Sequence, residues 1–144
     1  CRLWNKDNSS YWSVSEKYNI EKTLRGMIGS HEWIAIQGEC IASNVQGNKY
    51  HVTEPDLFVF NLIYPTGRVD SMTAKGICEK NGLQFVPIVD TDYVMPDTVE
   101  EVLEYAHGES KLYPTLREGI VFRSYDGKYS FKAVDPLFLI KYDE

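Results

Sequence analysis

Gly119-Ile120-Val121-Phe122-Arg123-Ser124-Tyr125-Asp126-Gly127-Lys128-Tyr129-Ser130-Phe131-Lys132-Ala133-Val134 is the stretch that decides the fold class. Two alternating runs, 119–125 and 128–134, flank the dipeptide Asp126-Gly127. Asp-Gly between such runs is a strong hairpin signal, because the tight turn that joins right-twisted strands needs positive φ at its central residues. A two-residue turn there sets Tyr125 opposite Lys128, Phe122 opposite Phe131 and Val121 opposite Lys132. Val121 and Lys132 then share a face, and this end of the chain is antiparallel.

Upstream, Thr98 to His107 reads as a helix capped by Asp97 or Thr98 and stopped at Gly108. The acidic run from Asp97 to Glu104 fits the positive end of that helix's dipole. Leu83 to Val89 reads as a strand, and Ser71 to Lys80 as a helix closed by Asn81-Gly82. Asp56 to Tyr64 is apolar on both faces, as a central strand is, and ends at Pro65-Thr66-Gly67. Glu32 to Ile41 alternates, with Ile34, Ile36 and Gly38 pointing one way and Ala35, Gln37 and Glu39 the other. Ser43 to Asn48 is loop by composition. Ser15 caps an expected helix from Glu16 to Met27, and the first dozen residues read as strand or loop. After the hairpin, Leu137 to Lys141 reads as a last strand following Pro136. There is no internal repeat, and strands mixed with helices in this order make an α+β fold.

The chain has 144 residues, 43% hydrophobic and 25% charged, which excludes a disordered or low-complexity polymer. Apolar runs such as Ile34-Ala35-Ile36 and Leu57-Phe58-Val59-Phe60 are too short to span a bilayer, so no membrane partner is expected. Fifteen basic against twenty-one acidic residues leave a net charge of −6. No global field draws in polyanions, and any phosphate must be held by a few placed cations or a metal. Cys1, Cys40 and Cys78 are scattered and odd in number, which points to reduced thiols and a cytoplasmic (intracellular) protein. The opening at Cys1, without Met or leader, leads us to expect a segment of a longer protein.

Three pieces place a charge beside Gly or inside an apolar strand: Gln37-Gly38-Glu39, Arg117-Glu118-Gly119-Ile120-Val121-Phe122-Arg123, and Ser130-Phe131-Lys132. A single Gly-Glu pair is most simply a strand end with a solvated carboxylate. Two of them, a strand lysine and the aromatic strand Leu57-Phe58-Val59-Phe60-Asn61, all in one order, are more informative. In that order the sequence resembles the ATP-dependent RNA ligases of the covalent nucleotidyltransferase superfamily, which also holds DNA ligases and mRNA capping enzymes. The resemblance runs from Cys1-Arg2 and Tyr11-Trp12, through Gln37-Gly38-Glu39 and Val45-Gln46-Gly47-Asn48-Lys49-Tyr50, to Ser130-Phe131-Lys132-Ala133-Val134.

The resemblance implies an adenylation domain over 1–144, with two mainly antiparallel sheets and flanking helices around a nucleotide cleft. It implies three steps: a lysine attacks the α-phosphate of ATP, AMP passes to an RNA 5′-phosphate, and a 3′-hydroxyl displaces AMP. The attacking lysine lies in a K-x-D-G motif that this sequence lacks; Ser124-Tyr125-Asp126-Gly127 and Lys141-Tyr142-Asp143-Glu144 are its near misses. The nucleophile is expected just upstream of Cys1, which leaves the fragment unable to adenylylate itself. By the same resemblance Glu39 bonds the AMP ribose, Phe60 stacks on adenine, Val121 covers the other face of the base and Lys132 contacts the α-phosphate. Glu118 works with Mg²⁺ (or Mn²⁺), and Arg2 stands near the phosphate. Neutralising a lysine nucleophile of pKa ~10.4 at pH 7 costs roughly 4.6 kcal/mol, and the positive charge of Lys132 lowers that cost. The implied partners are ATP, AMP and RNA ends held locally. A DNA ligase, a capping-type nucleotidyltransferase and a non-catalytic nucleotide- or RNA-binding remnant are the alternatives.

Strict alternation sends Glu118 to the face opposite Val121, so an irregularity such as a bulge is expected at Glu118-Gly119. His31, His51 and His107 are too dispersed for a metal site and read as surface residues. Cys40 alternates onto the core face and reads as packing rather than as a nucleophile.

Overall fold

The computed structural model describes residues 9–43 and 51–142. The chain forms two compact units, Cys1–Val86 and Pro87–Glu144, and each carries one antiparallel sheet. The α+β class expected from the sequence is the one observed.

In the first unit the sheet order is β1-β2-β3, with β1 at Ala35–Ile41, β2 at Asp56–Tyr64 and β3 at Gly67–Arg68. β2 is central because it is apolar on both faces, and Val59 and Leu62 are fully buried. They pack with Met27, Ala74, Cys78, Leu83 and Phe85 in one core cluster. Full burial of one such aliphatic side chain contributes about 1.5–3 kcal/mol. Helix α3, Ser71–Lys80, lays Ala74 and Cys78, four residues apart, into this core. Its first turn is closed by Asp70, whose carboxylate accepts the Thr73 N–H at 3.0 Å.

Three expectations in this unit need correction. The helix expected over Glu16 to Met27 is two helices, α1 at Ser10–Lys17 and α2 at Ile20–Met27. Asn19, at φ 46°, breaks them in the left-handed conformation that Asn tolerates better than most residues. Helix α1 also occupies part of the first dozen residues read as strand or loop. The strand expected over Leu83 to Val89 is a single parallel bridge, Phe85 to Val59, made by Val59 N–H to Gln84 O and Val86 N–H to Val59 O, both 2.9 Å. Pro87 follows immediately, and without an N–H it cannot extend the ladder.

The second unit holds α4 (Val99–Ala106), β4 (Gly119–Arg123), β5 (Ser130–Val134) and α5 (Pro136–Tyr142). Thr98 caps α4, accepting the Glu101 N–H at 3.4 Å while its hydroxyl donates to Glu101 Oε2 at 2.5 Å. The hairpin register is as expected, with Val121 opposite Lys132 and Phe122 opposite Phe131. The turn is wider than two residues. Ser124 still pairs with Tyr129, its N–H donating to the Tyr129 carbonyl at 3.0 Å, so Tyr125 and Lys128 lie within the turn. Ser124 and Asp126 side chains fold over it, each accepting backbone N–H groups from the returning strand.

The last strand expected, Leu137 to Lys141, is instead helix α5. The signal was local: Asp135 Oδ1 accepts the Leu137 N–H at 2.9 Å, and Pro136 takes the first helical position, where its missing N–H costs nothing. Among the described residues no helix is long and apolar enough to cross a membrane.

Candidate functional site

In the first unit the candidate feature is a slip in the β1–β2 ladder. Gln37 pairs with Asn61 and Gly38 pairs with Val59, so β2 carries one extra residue, Phe60, at the bulge. The core side chains of β2 record the same slip. Tyr64, Leu62, Val59 and Leu57 all join the core, a spacing of two, three and two, and Phe60 is the residue skipped. Unbroken alternation from Leu62 would have put Phe60 in the core.

Directly opposed residues of an antiparallel pair share a face. Gln37 with Asn61 and Glu39 with Phe58 therefore occupy the face away from Val59 and Leu62, one pair on each side of the bulge. Asn61 Nδ2 donates to Gln37 Oε1 at 2.7 Å, which ties the strands where the ladder is weakest. Glu39 is exposed and Phe60 half-buried. Gly38 is required here: a Cβ on it would lie 2.8 Å from the Phe58 carbonyl oxygen and 2.9 Å from Leu57 Cδ1. Burial and then the Asp56 charge push the thiol pKa of neighbouring Cys40 up, which disfavours its thiolate.

In the second unit the candidate feature is the outer face of the β4–β5 hairpin. Ile120, Phe122 and Ala133 are buried against α4 residues, and Phe122 stacks on Phe131 at 5.0 Å and meets Tyr93 at 5.3 Å. Val121 and Lys132 are left on the open face, with Val121 52% exposed. The Lys132 ammonium donates to Glu118 Oε1. The pair is 44% and 35% exposed, and an ion pair this open contributes only ~0–1 kcal/mol, too little to account for the arrangement by stability alone.

The expected bulge at Glu118-Gly119 is absent. The ladder continues in register, with the Asp135 N–H donating to the Glu118 carbonyl at 2.8 Å. What is unusual is closeness, since a Cβ on Gly119 would lie 2.0 Å from the Ala133 carbonyl oxygen. With Gly at 119, β4 places no side chain on the face of Lys132 at the strand end from which Glu118 reaches it.

The family model for RNA ligases matches residues 4–142. The chain belongs to the RNA ligase family. Its fold agrees with Naegleria gruberi RNA ligase with PPi at TM-score 0.84 and 25% identity, over 96% of this chain and 42% of that one. A lysine-to-alanine variant of the same ligase with ATP and Mn gives TM-score 0.85 at 25% identity, over 96% and 42%. A glutamate-to-alanine variant with AMP and Mn gives 0.84 at 25%, with the same coverage. The chain thus spans about two fifths of these ligases. No curated protein matches it.

Among the RNA ligase residues expected from the sequence, Glu39 and Phe60 fall on one stretch of the first sheet, and Glu118, Val121 and Lys132 on one end of the hairpin. Arg2 and the segment 45–50 lie outside the described residues. No group of three or more His, Cys, Asp or Glu able to hold a metal occurs among the described residues, which leaves Glu118 as a single half-exposed carboxylate. That fits Mg²⁺ or Mn²⁺ bound with a nucleotide, because such ions take one or two carboxylates and fill other positions from phosphates and water.

Sequence reasoning missed four residues. Gln37 and Asn61 fix the bulge, and their signal was an amide on each strand at one register position. Arg117 binds the carbonyls at the end of α4. His107 is exposed, as read from the sequence, but its Nδ1 also lies 2.8 Å from Oδ2 of Asp135, which is 1% exposed.

Proposed function

We propose that this chain is the nucleotide-binding part of an ATP-dependent RNA ligase that joins RNA 5′-phosphate and 3′-hydroxyl ends. The observation that carries the reading is the Lys132–Glu118 ion pair, held opposite Val121 on the open face of a rigid hairpin. A cation and a carboxylate kept together at an exposed site, for little gain in stability, suit a ligand that carries both phosphate and metal.

In this reading Phe60 stacks on adenine, a contact worth ~1–3 kcal/mol by analogy with bases on aromatic platforms. Glu39 accepts a hydrogen bond from a ribose hydroxyl, and Val121 packs on the base. When nucleotide enters, Lys132 exchanges Glu118 for the α-phosphate. Its ammonium then faces the oxygens on which charge builds during transfer, where a placed cation contributes most. Glu118 would hold Mg²⁺ or Mn²⁺, which when bound would neutralise phosphate charge. The lysine that accepts AMP lies outside these 144 residues, which contain no K-x-D-G. These residues alone therefore do not become adenylylated.

The test is sealing of matched RNA and DNA ends by the intact protein with ATP and Mg²⁺, beside incubation of the 144-residue chain with α-labelled ATP. RNA joined in preference to DNA, and no label on the isolated chain, are expected. Stable label on the chain alone contradicts the assignment of roles.

A further inference from the structure

Glu118 is bracketed by two sets of contacts that meet on the last turn of α4. On one side stands Arg117, its chain neighbour. The Arg117 guanidinium donates to the carbonyls of Tyr105 at 2.5 Å, Ala106 at 2.7 Å and His107 at 2.8 Å, and its backbone N–H donates to Gly108 O at 3.0 Å. These are the carbonyls a helix end leaves unsatisfied, and a fixed guanidinium meets both their hydrogen bonds and the dipole. On the other side is Asp135. Its N–H donates to the Glu118 carbonyl at 2.8 Å, its Oδ2 lies 2.8 Å from His107 Nδ1, and its Oδ1 accepts the Leu137 N–H. A carboxylate 1% exposed is costly unless it is paired, and His107 and the first turn of α5 supply the partners.

His107 closes the circuit: its carbonyl receives Arg117 and its ring holds Asp135. Glu118 sits in the middle, joined to Arg117 through the chain and to Asp135 through the last ladder bond. Its carboxylate is at a strand end, where no further cross-strand pair steers it. There a displacement of about 1 Å can cost ~100-fold in rate.

We propose that His107, acting through Asp135 and together with Arg117, is a positioning residue that fixes Glu118 and its contact with Lys132. The inference rests on the roles given above to Glu118 and Lys132.

The experiment is a double-mutant cycle on the intact protein, read as affinity for ATP in the presence of Mn²⁺. His107→Ala weakens binding by about tenfold, the low end for loss of a group that orients a metal ligand. His107→Asn, whose amide donates from nearly the same place as Nδ1, restores affinity to within about threefold. In a Glu118→Ala background His107→Ala has less than about a twofold further effect, because the group it positions is gone. Unchanged affinity in His107→Ala, or an equal loss with and without the Glu118 carboxylate, overturns the proposal. Thermal unfolding of each variant checks the fold. If His107→Ala does not fold, Arg117→Lys replaces it, since one ammonium cannot span three carbonyls, and the same non-additivity with Glu118→Ala is required. A separate outcome marks failure of the underlying reading: wild-type protein that binds no ATP, or Glu118→Ala and Lys132→Ala that bind as wild type does.

Discussion

In the first unit the β1–β2 ladder slips by one residue at Gln37/Gly38, whereas the β4–β5 hairpin keeps a single register from Glu118 and Asp135 to Ser124 and Tyr129. Both regions carry a Gly beside a Glu, and in both the Gly faces partner backbone too close for a side chain. The two solutions differ. The first sheet adds a residue, so that Phe60 is left out of the core. The hairpin leaves its pairing intact and omits a side chain at 119, so that Glu118 reaches Lys132 from the strand end. A bulge changes which residues face a site; a glycine inside an unbroken ladder changes only what reaches across.

This contrast breaks most sharply at the glycines. Gly119→Ala has no room to shift, because its Cβ would meet backbone at 2.0 Å. We expect a loss of more than about 3 kcal/mol, measured by urea unfolding, with the hairpin as its source. Lys132→Ala separates function from fold. ATP-dependent sealing falls by about 100-fold or more, while stability changes by less than about 1 kcal/mol because the ion pair is open to water. Gly38→Ala is milder, at about 1–3 kcal/mol, since one of its two close neighbours is the mobile tip of Leu57. Equal losses for the two glycines would erase the distinction drawn here.

The smallest effect concerns pH, in the first unit's Asp56 network. Asp56 receives hydrogen bonds from the Tyr18 hydroxyl, Gln84 Nε2 at 2.7 Å and the Leu57 N–H at 3.0 Å, with Lys17 Nζ 3.4 Å away. Burial pulls its carboxyl up, but the hydrogen bonds and Lys17 outweigh it and leave it below the usual range. Burial and this carboxylate push Tyr18 up to about 12. For Asp56 the folded value is depressed, so its stabilisation is complete above about pH 4 and is lost as pH falls through the lowered value. For Tyr18 the folded value is raised, so its contribution is complete below about pH 10 and is lost as pH rises toward 12. Asp56→Asn flattens the acid limb and much of the alkaline one. Hydrogen exchange of β2 amides against pH, compared between wild type and Asp56→Asn, reads this.

How legible all this was in the sequence follows from the same contrast. The hairpin register was readable because Asp126-Gly127 marks its centre, and widening the turn from two residues to four left the pairing unchanged. The bulge at Phe60 was hidden, because a strand apolar on both faces gives no alternation to interrupt. Helix α5 was missed for a related reason: Leu137, Phe138, Leu139 and Ile140 form an unbroken apolar run that fits either a strand or a helix. The deciding signal was Asp135 before Pro136, a cap and a first helical position. Glu39, Phe60, Glu118, Val121 and Lys132 were reached through their likeness to RNA ligase motifs. His107, Asp135 and Arg117 were not, since their contacts join residues ten to twenty-eight positions apart that no local pattern links.

The most direct test is sealing of a 5′-phosphorylated RNA to a 3′-hydroxyl RNA by the intact protein, with and without ATP, for wild type and Lys132→Ala. The account predicts joined RNA only with ATP and wild-type Lys132. Joining that needs no ATP, or that survives Lys132→Ala at full rate, contradicts it.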